Sequence, residues 1–259
     1  MSSAADPIVR IAMWSGPRNI STAMMRAFEN RLDCVVWDEP FYAAELARSG
    51  RNHPLRDEVI AAGETDPDRV VARILGPLDD PGKPRATIFY QKHMTHHMLD
   101  GFDRAWIGKM RNAFLIRDPA HVLASYTRTW EQVTLDDIGY VRQSEIFDSI
   151  ADRLGHAPPV IEAADVLTDP RGTLTALCAA LAIPFRTAML AWPAGRRKSD
   201  GVWASAWYAN VERSTGFAAP SPNSAAPVDL PPALRRIADA ARPHYEHLAR
   251  YRLTASSST

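Results

Sequence analysis

The sequence has only two cysteines, no long apolar run and no excess of charge of either sign, and each absence excludes a class of protein. Cys34 lies in an apolar run and Cys178 in a helical pattern, so we interpret both as reduced core residues and expect neither a disulfide framework nor a zinc site. Thirty basic and thirty acidic residues cancel. No whole-molecule field is therefore expected to hold nucleic acid or an anionic membrane, and any anion site must be built locally.

The sequence gives no sign of export or of insertion into a membrane. Residues 1–7 carry no basic region followed by an apolar core, and no stretch approaches the roughly eighteen apolar residues of a membrane helix. We therefore expect a cytoplasmic protein without a membrane partner. No linker-like stretch interrupts the middle of the chain, so one domain over residues 1–259 is expected, with residues 1–7 and 254–259 as disordered tails.

Short apolar runs alternate with amphipathic segments along the chain. The runs predict five strands: Ile8–Trp14, Asp33–Trp37, Ala86–Gln91, Ala113–Ile116 and Pro159–Ala163. Helices are expected after the first strand, over Asp68–Leu75, from Pro119 to about Trp130, around Leu174–Leu181 and over Leu234–Leu248. Strands that are apolar along their whole length indicate a parallel sheet covered on both faces. The predicted fold class is α/β, a three-layer α/β/α sandwich with a central parallel sheet.

Polar residues follow each of the first four predicted strands. In an open parallel sheet, ligands bind beyond the carboxyl ends of the strands. The turns after these strands therefore share one side of the molecule, and this topology places Arg18, Glu39, Lys92 and Arg117 near a common crevice.

The turn after the first strand has the composition of a phosphate-binding loop. Residues 15–22 read S-G-P-R-N-I-S-T and lead into a helix, so backbone N–H groups and the helix dipole would face an anion there. A nucleotide triphosphatase would carry G-x-x-x-x-G-K-[ST], but Ile20 and Ser21 stand near its second glycine and its lysine, which disfavours ATP with magnesium. The alternative interpretation is that Ser21 and Thr22 only cap the helix.

Two turns resemble motifs of the sulfotransferases that use 3′-phosphoadenosine 5′-phosphosulfate. Residues 17–24, P-R-N-I-S-T-A-M, resemble the bacterial loop P-R-S-G-S-T-L-L, which holds the 5′-phosphosulfate. Ile20 replaces the usual glycine, so the loop is expected either to keep ordinary backbone angles or to shift, because a β-branched residue disfavours positive φ. Residues 114–126, F-L-I-R-D-P-A-H-V-L-A-S-Y, resemble the 3′-phosphate motif, in which a serine follows a strand-end arginine by eight residues; Arg117 and Ser125 keep that spacing.

Each motif has a plainer interpretation. Arg117 can pair with a neighbouring carboxylate such as Asp118 while Ser125 packs in its helix. Residues 195–203, G-R-R-K-S-D-G-V-W, are similar to the family's late R-K-G segment over the 3′-phosphate, but a basic loop is also typical of a solvated surface.

The resemblance implies a P-loop nucleotide-hydrolase-like fold and an enzyme that moves a sulfuryl group, without a metal, to a hydroxyl or amine of a small-molecule acceptor. The co-substrate would be 3′-phosphoadenosine 5′-phosphosulfate and the product 3′,5′-adenosine bisphosphate. It implies that Arg18 stabilises charge on the bridging oxygen and that Thr22 contacts the 5′-phosphate. The donor-binding residues would be Arg18, Asn19, Ile20, Ser21, Thr22, Arg117, Ser125, Arg196, Arg197 and Lys198.

The base that takes the acceptor's proton is expected after the second or third strand. Glu39 stands where several sulfotransferases carry a catalytic glutamate. Lys92, His93 and His96 lie near the position of a K-T-H motif in some cytosolic members, where Met94 replaces the histidine. As the base, we favour Glu39 slightly over His93 or His96. The non-catalytic alternatives are that Glu39 is a carboxylate at the start of a helix and that the histidines form a hydrogen-bonded surface cluster.

The sequence also permits functions other than sulfotransfer. A P-loop kinase is disfavoured by the missing lysine, whereas Ile20 and Met94 permit a non-catalytic nucleotide-binding protein of the same fold. A metal held by His93, His96 and His97 lacks a recognised ligand pattern.

The acceptor is expected to be selected by loops over Phe41–Pro67 and Trp130–Ser149. Trp203, Trp207 and Tyr208 are candidates to flank the adenine or the acceptor.

Overall fold

Five parallel strands form the centre of the computed structural model, which describes residues 8–78, 80–127, 132–219 and 228–254. Strands β1 to β5 are Val9–Ser15, Cys34–Asp38, Ile88–Met94, Arg111–Ile116 and Val160–Glu162. Their order across the sheet is β2-β3-β1-β4-β5. All four pairings are parallel. The five predicted strands and the parallel sheet are confirmed, with small shifts at the strand ends.

Helices fill most of the connections between the strands. Within the described residues, α1 to α12 are Ser21–Glu29, Tyr42–Ser49, Arg56–Ala62, Pro67–Leu75, Pro119–Tyr126, Leu135–Ile138, Tyr140–Leu154, Ala163–Thr168, Pro170–Ala180, Ala204–Trp207, Ala209–Glu212 and Pro232–Ala249. Short 3₁₀ turns cover Thr95–His97, Ala105–Lys109 and Thr187–Leu190. The predicted helices correspond to α1, α4, α5, α9 and α12.

Two segments expected to be loops are largely helical. The first, residues 41–67, contains α2 and α3, and the described part of the second, residues 132–149, contains α6 and most of α7. Helix α7 buries Ile146, Phe147 and Ile150 on one face, with polar residues between them. That spacing is the 3.6-residue period of an amphipathic helix, which the loop interpretation overlooked.

The core lies on both faces of the sheet, which gives the predicted three layers. Along β1, Ile11 and Met13 pack in one apolar cluster with α1, α8 and α9, whereas Ala12 and Trp14 pack in another with α4, α7 and α12. Because successive side chains of a strand point to opposite faces, a strand buried on both sides has no polar alternation.

Some of the expected features fall outside the described residues. These are the disordered tails over residues 1–7 and 255–259 and the continuation of α5 beyond residue 127. None of the described helices combines the length and apolarity that a bilayer crossing needs.

Candidate active site

One cavity of about 520 Å³ lies beyond the carboxyl ends of β1 to β4, which is a volume typical of small-molecule sites. The sequence-predicted residues that line it are Arg18, Asn19, Ile20, Ser21, Thr22, Glu39, Lys92, His96, Arg117 and Ser125. His93, Arg196, Arg197 and Lys198 are not among the lining residues. The strand order therefore brings the polar turns together as the topology predicts.

The turn after β1 adopts an unusual backbone for its sequence. Ile20 has φ 48° and ψ 14°, in the left-handed region, and Arg18 has φ 56°. A left-handed conformation costs a residue with a Cβ roughly 1–2 kcal/mol, and a β-branched side chain disfavours it further. The expectation of ordinary angles at Ile20 is thus wrong, because the isoleucine takes the conformation that glycine adopts readily. Its side chain packs against the core beneath α1.

The start of α1 opens into this cavity without a side-chain cap. The N-cap residue is Ile20, which makes no capping hydrogen bond, and Ser21 and Thr22 belong to the first turn of the helix. The interpretation of Ser21 and Thr22 as caps is therefore wrong. The first N–H groups of a helix have no intrahelical acceptor, so this end offers donors to an anion in the cavity.

The turns after β1 and β4 are fastened to each other. Asn19, which is buried, donates from Nδ2 to the carbonyl of Leu115 at 2.6 Å. Arg117 donates from Nη1 to the carbonyl of Arg18 at 2.6 Å, and Arg18 donates from Nε to Oγ of Ser125 at 3.1 Å. Two arginines and a serine hydroxyl thus converge at one side of the cavity.

The carboxylate of Asp118 has its own structural contacts. It caps α5 by accepting a hydrogen bond from the backbone of Ala120 at 2.8 Å, and its other oxygen lies 3.4 Å from Arg242. Asp118 therefore stabilises the helix that carries Ser125.

A buried lysine occupies the floor of the cavity. Lys92 Nζ lies 2.8 Å from Asp38 Oδ1 and 2.8 Å from Glu39 Oε1. It also donates to Thr22 Oγ1 at 3.2 Å and to the Tyr208 hydroxyl. Burial lowers the pKa of Lys92, but the two carboxylates outweigh burial and hold this pKa well above its usual range. The lysine is therefore charged at all physiological pH values.

Tyr208 joins this floor to the late loop of the chain. Its hydroxyl donates to Asp38 Oδ2 at 2.7 Å and accepts from Trp203 Nε1 at 3.0 Å. The backbone N–H of Gly201 contacts the same Asp38 oxygen at 3.3 Å. Asp38 therefore accepts hydrogen bonds from both Tyr208 and Gly201, although the sequence identifies it only as the end of a strand.

Glu39 has the environment of a general base. Its backbone is left-handed, with φ 42°, and Oε2 lies 3.9 Å from Nε2 of His97. Burial raises the pKa of Glu39 to about 6; Asp38 adds to this rise and Lys92 opposes it. A carboxylate with this pKa is ionised at neutral pH and more basic than an exposed one.

The three histidines at the end of β3 and in the turn after it have different surroundings. His96 and His97 line the cavity, whereas His93 is buried behind it and stacks on Trp14 at a centroid distance of 4.6 Å. Burial lowers the pKa of His93 and that of His96 to about 3. Among the described residues, no group of three His, Cys, Asp or Glu side chains is arranged to hold a metal ion.

The basic loop lies against α1. Arg26 and Asp200 form a buried ion pair of 2.6 Å, and Ser199 Oγ donates to Glu29 Oε1 at 2.6 Å. Arg197 donates from Nη2 to the carbonyl of Pro193 at 2.8 Å. Arg196 and Lys198 are exposed. A donor-binding role for this loop stays a prediction.

Trp203, Trp207 and Tyr208, the candidates to flank the adenine or the acceptor, also line the cavity. Other lining residues were not named individually as site residues from the sequence. On one side they are Tyr42, His53, His97 and Tyr126, and elsewhere they include Leu167, Val211 and Phe217. The position of Tyr42, a few residues beyond the end of β2 and close to Glu39 in the sequence, was a usable signal. Helices α10 and α11 are four residues each, too short for a periodic pattern.

Residues 9–249 match the model of a family described as a sulfotransferase domain. Two curated proteins of Arabidopsis thaliana, named branched-chain-amino-acid aminotransferase-like proteins 1 and 2, are also similar. They are 37% and 35% identical over 83% and 81% of this chain. The chain spans only 38% and 36% of the length of these relatives.

Solved structures share the fold. The sulfotransferase domain from the curacin biosynthetic pathway has a TM-score of 0.58 at 18% identity and covers 90% of this chain and 97% of its own. The sulfotransferase domain of the Synechococcus PCC 7002 olefin synthase has a TM-score of 0.59 at 15% identity, over 96% of this chain and 98% of its own. The family match covers the turns after β1 and β4, β3 and the last helix, and the chain therefore belongs to the sulfotransferase domain family.

Proposed function

We propose that the protein transfers a sulfuryl group from 3′-phosphoadenosine 5′-phosphosulfate to a hydroxyl or amine of a small-molecule acceptor. The observation that carries the proposal is the 3.1 Å contact between Arg18 and Ser125. It unites the turn that resembles a 5′-phosphosulfate loop with the helix that resembles a 3′-phosphate site. One ligand with anionic groups at both ends fits such an arrangement.

The residues present suit each end of this donor. The uncapped start of α1, with Thr22 and Lys92, offers N–H, hydroxyl and ammonium donors to the 5′-phosphosulfate. Arg117 and Ser125 offer a guanidinium fork and a hydroxyl to the 3′-phosphate dianion. Leu167 follows β5, which is next to β4 in the sheet, so the apolar residues Leu167, Val211 and Phe217 are proposed to hold the adenine.

The transfer itself needs positioning and charge stabilisation. The acceptor oxygen or nitrogen bonds to sulfur while the bond between sulfur and the bridging phosphate oxygen breaks, and the acceptor's proton goes to Glu39. Arg18 and Lys92 stabilise the negative charge on the departing bisphosphate. When Glu39 holds the proton, Lys92 loses one of its two anionic partners. More of the lysine's charge then acts on the leaving group.

Calorimetry of nucleotide binding tests the donor. We expect 3′,5′-adenosine bisphosphate to bind without magnesium and more tightly than ADP or ATP. Arg117→Ala should weaken this binding by more than about ten-fold, because a charge-assisted hydrogen bond is worth about 1.5–3 kcal/mol. The affinity of Arg117→Lys should lie between those of the wild type and Arg117→Ala, because lysine keeps the positive charge but lacks the paired donors of the guanidinium. Arg111→Ala, at the other end of β4, is the matched control and should bind like the wild type.

The same experiment separates the rival functions. Equal binding of ADP and the bisphosphate, or ATP binding that requires magnesium, would overturn the proposal in favour of a kinase-like protein. Bisphosphate binding without any sulfated product, across hydroxyl and amine acceptors supplied with the donor, would identify a non-catalytic member of the fold.

A further inference from the structure

One wall of the cavity consists of aromatic rings, and its residues come from four separate parts of the chain. They are Tyr42, His53, His97, Tyr126, Trp203 and Trp207, which we call the aromatic wall. Trp207 is the common element of two parallel contacts: its ring stacks with His53 at 5.4 Å and 16° and with Tyr126 at 5.8 Å and 9°. Tyr42 stacks with His97 at 4.5 Å and 7°. The wall therefore contains two stacked sets of rings, which meet edge-on at 75° between Tyr42 and His53.

Two tyrosine hydroxyls of the aromatic wall are engaged with a histidine of the same wall. The Tyr42 hydroxyl is hydrogen-bonded to Nδ1 of His53, and Nε2 of His53 lies 3.4 Å from the Tyr126 hydroxyl. A neutral imidazole has one donor and one acceptor nitrogen, so it can serve both phenols at once. With these hydroxyls engaged, the contacts that Tyr42 and Tyr126 can offer to a ligand are mainly those of their ring carbons.

The aromatic wall is uncharged at neutral pH. Burial lowers the pKa of His53 to about 4, and burial lowers that of His97 as well. The ionised residues near His53 are paired with one another, since Arg51 lies 3.7 Å from Glu45 and 2.5 Å from Asp137. A charged group placed against these rings would lose its hydration, and the rings themselves supply no counter-charge.

The aromatic wall adjoins the proposed reacting groups. Arg18 donates from Nη1 to the carbonyl of Trp207 at 3.4 Å, and His97 lies 3.9 Å from Glu39. A ring stacked on the wall can thus present a substituent to Glu39. A phenolic hydroxyl has a pKa near 10, well below that of an aliphatic alcohol, so a carboxylate base can assist its loss of a proton.

We infer that the acceptor is a flat, uncharged aromatic alcohol, which makes the product an aryl sulfate; this inference rests on the proposed sulfotransfer. The aryl oxygen bonds to sulfur, the bond from sulfur to the bridging oxygen of the donor breaks, and the phenolic proton passes to Glu39. The products are the aryl sulfate and 3′,5′-adenosine bisphosphate. Aliphatic amines are disfavoured because they are protonated at neutral pH and carry a charge.

Three probes built on one bicyclic carbon skeleton test the inference: 2-naphthol, its saturated, non-planar analogue decahydro-2-naphthol and the anion 6-hydroxy-2-naphthoate. Their binding is measured by calorimetry on the full chain saturated with 3′,5′-adenosine bisphosphate. We expect 2-naphthol to bind at least about ten-fold more tightly than either analogue, because stacking adds to apolar burial and the wall offers no counter-charge. It should also yield naphthyl sulfate with the donor, detected by mass spectrometry. Equal or tighter binding of either analogue would overturn the inference.

A pair of variants tests whether the aromatic wall is the source of the preference for 2-naphthol. Trp207→Leu removes the shared stacking face and keeps the carbonyl that Arg18 contacts. It should weaken 2-naphthol binding by about ten-fold and change bisphosphate affinity by less than about three-fold. Tyr251→Leu, a half-exposed aromatic outside the cavity lining, should change neither. An unchanged naphthol affinity in Trp207→Leu contradicts the inference alone, whereas a wild type that fails to bind the bisphosphate contradicts the proposed function itself.

Discussion

Arg18 and Ser125 are 107 residues apart in the chain, and their side chains meet at 3.1 Å. They meet because β4 lies beside β1 in the sheet, which places the turn after each strand at the same edge. Each motif by itself had a plausible structural explanation. The contact is informative because it joins the two motifs in one cavity.

Replacement of Ser125 should weaken the proposed donor site without affecting the fold. In Ser125→Ala, Arg18 and a bound 3′-phosphate both lose a hydroxyl partner. We expect the affinity for 3′,5′-adenosine bisphosphate to fall about five-fold, which corresponds to about 1 kcal/mol for one hydrogen bond. Calorimetry measures the affinity and thermal unfolding checks the fold. The matched control is Ser149→Ala, at an exposed serine of α7, and equal affinities in the two variants would remove Ser125 from the site.

The buried charge of Lys92 makes Asp38 important for stability. Asp38→Asn removes one of two carboxylates that lie 2.8 Å from the ammonium and leaves Glu39 as its anionic neighbour. Breaking a buried ion pair typically costs about 3–5 kcal/mol. We expect a loss near the lower end, about 3 kcal/mol, in the free energy of unfolding measured with urea.

An exposed ion pair provides the control for Asp38. Asp100 lies 2.8 Å from Arg142 and is 89% exposed. Such surface pairs contribute about 0–1 kcal/mol, so Asp100→Asn should change stability little. A loss in Asp38→Asn no larger than that in Asp100→Asn would show that Lys92 does not depend on Asp38.

The pKa of Glu39 predicts a pH profile. Burial raises this pKa from 4.5 to about 6, so the base becomes active as the pH rises through about 6. We expect kcat/KM to increase over this range and then level off, and Glu39→Gln to lower the rate by about 10²–10⁴ and to abolish this limb of the profile. An intact limb in Glu39→Gln would assign the proton transfer to another group.

The raised pKa of Glu39 also predicts how the stability of the fold changes with pH. Because the folded protein binds the proton of Glu39 more tightly than the unfolded chain does, its contribution is fully present below pH 4.5 and is lost as the pH rises through about 6. Wild-type stability relative to Glu39→Gln should therefore decline between these pH values. Urea unfolding at pH 4.5 and pH 7 measures the difference.

The sequence predicted the sheet and the polar turns, since both follow from local patterns. Apolar runs that end at polar residues mark strand ends, and strand ends meet at one edge of a parallel sheet. The aromatic wall was predicted only in part: Trp203 and Trp207 were candidates to flank the adenine or the acceptor, but their stacking partners could not be identified from local patterns. His53 and Trp207 belong to segments without a periodic pattern, and their stacking depends on tertiary packing. Similarly, His93 and His97 look equivalent in the sequence, but one packs on Trp14 and the other reaches the cavity.

Ile20 shows a limit of motif reasoning, since its side chain disfavours the backbone that it adopts. The family motif has glycine at this position, and residue 20 keeps a glycine-like φ of 48°. The conformation is thus imposed by the surroundings. Asn19 is anchored to β4 at 2.6 Å, and a Cβ at Gly16 would lie 2.6 Å from the carbonyl oxygen of Ile138, so the turn has little room to move.

The stabilities of the glycine and alanine variants at position 20 should therefore reverse the usual order, in which alanine is the more stable. Both Ile20→Gly and Ile20→Ala lose the packing of the isoleucine side chain, but only the alanine keeps a Cβ in the left-handed region. We expect the glycine variant to be more stable than the alanine variant by about 1 kcal/mol in urea unfolding. Ala72→Gly, in the exposed interior of α4, is the matched control and should lose about 0.5–1 kcal/mol, the opposite order. If the alanine variant were the more stable one at both positions, residue 20 would not be left-handed in solution. The glycine of the motif would then not be explained by a left-handed backbone at this position.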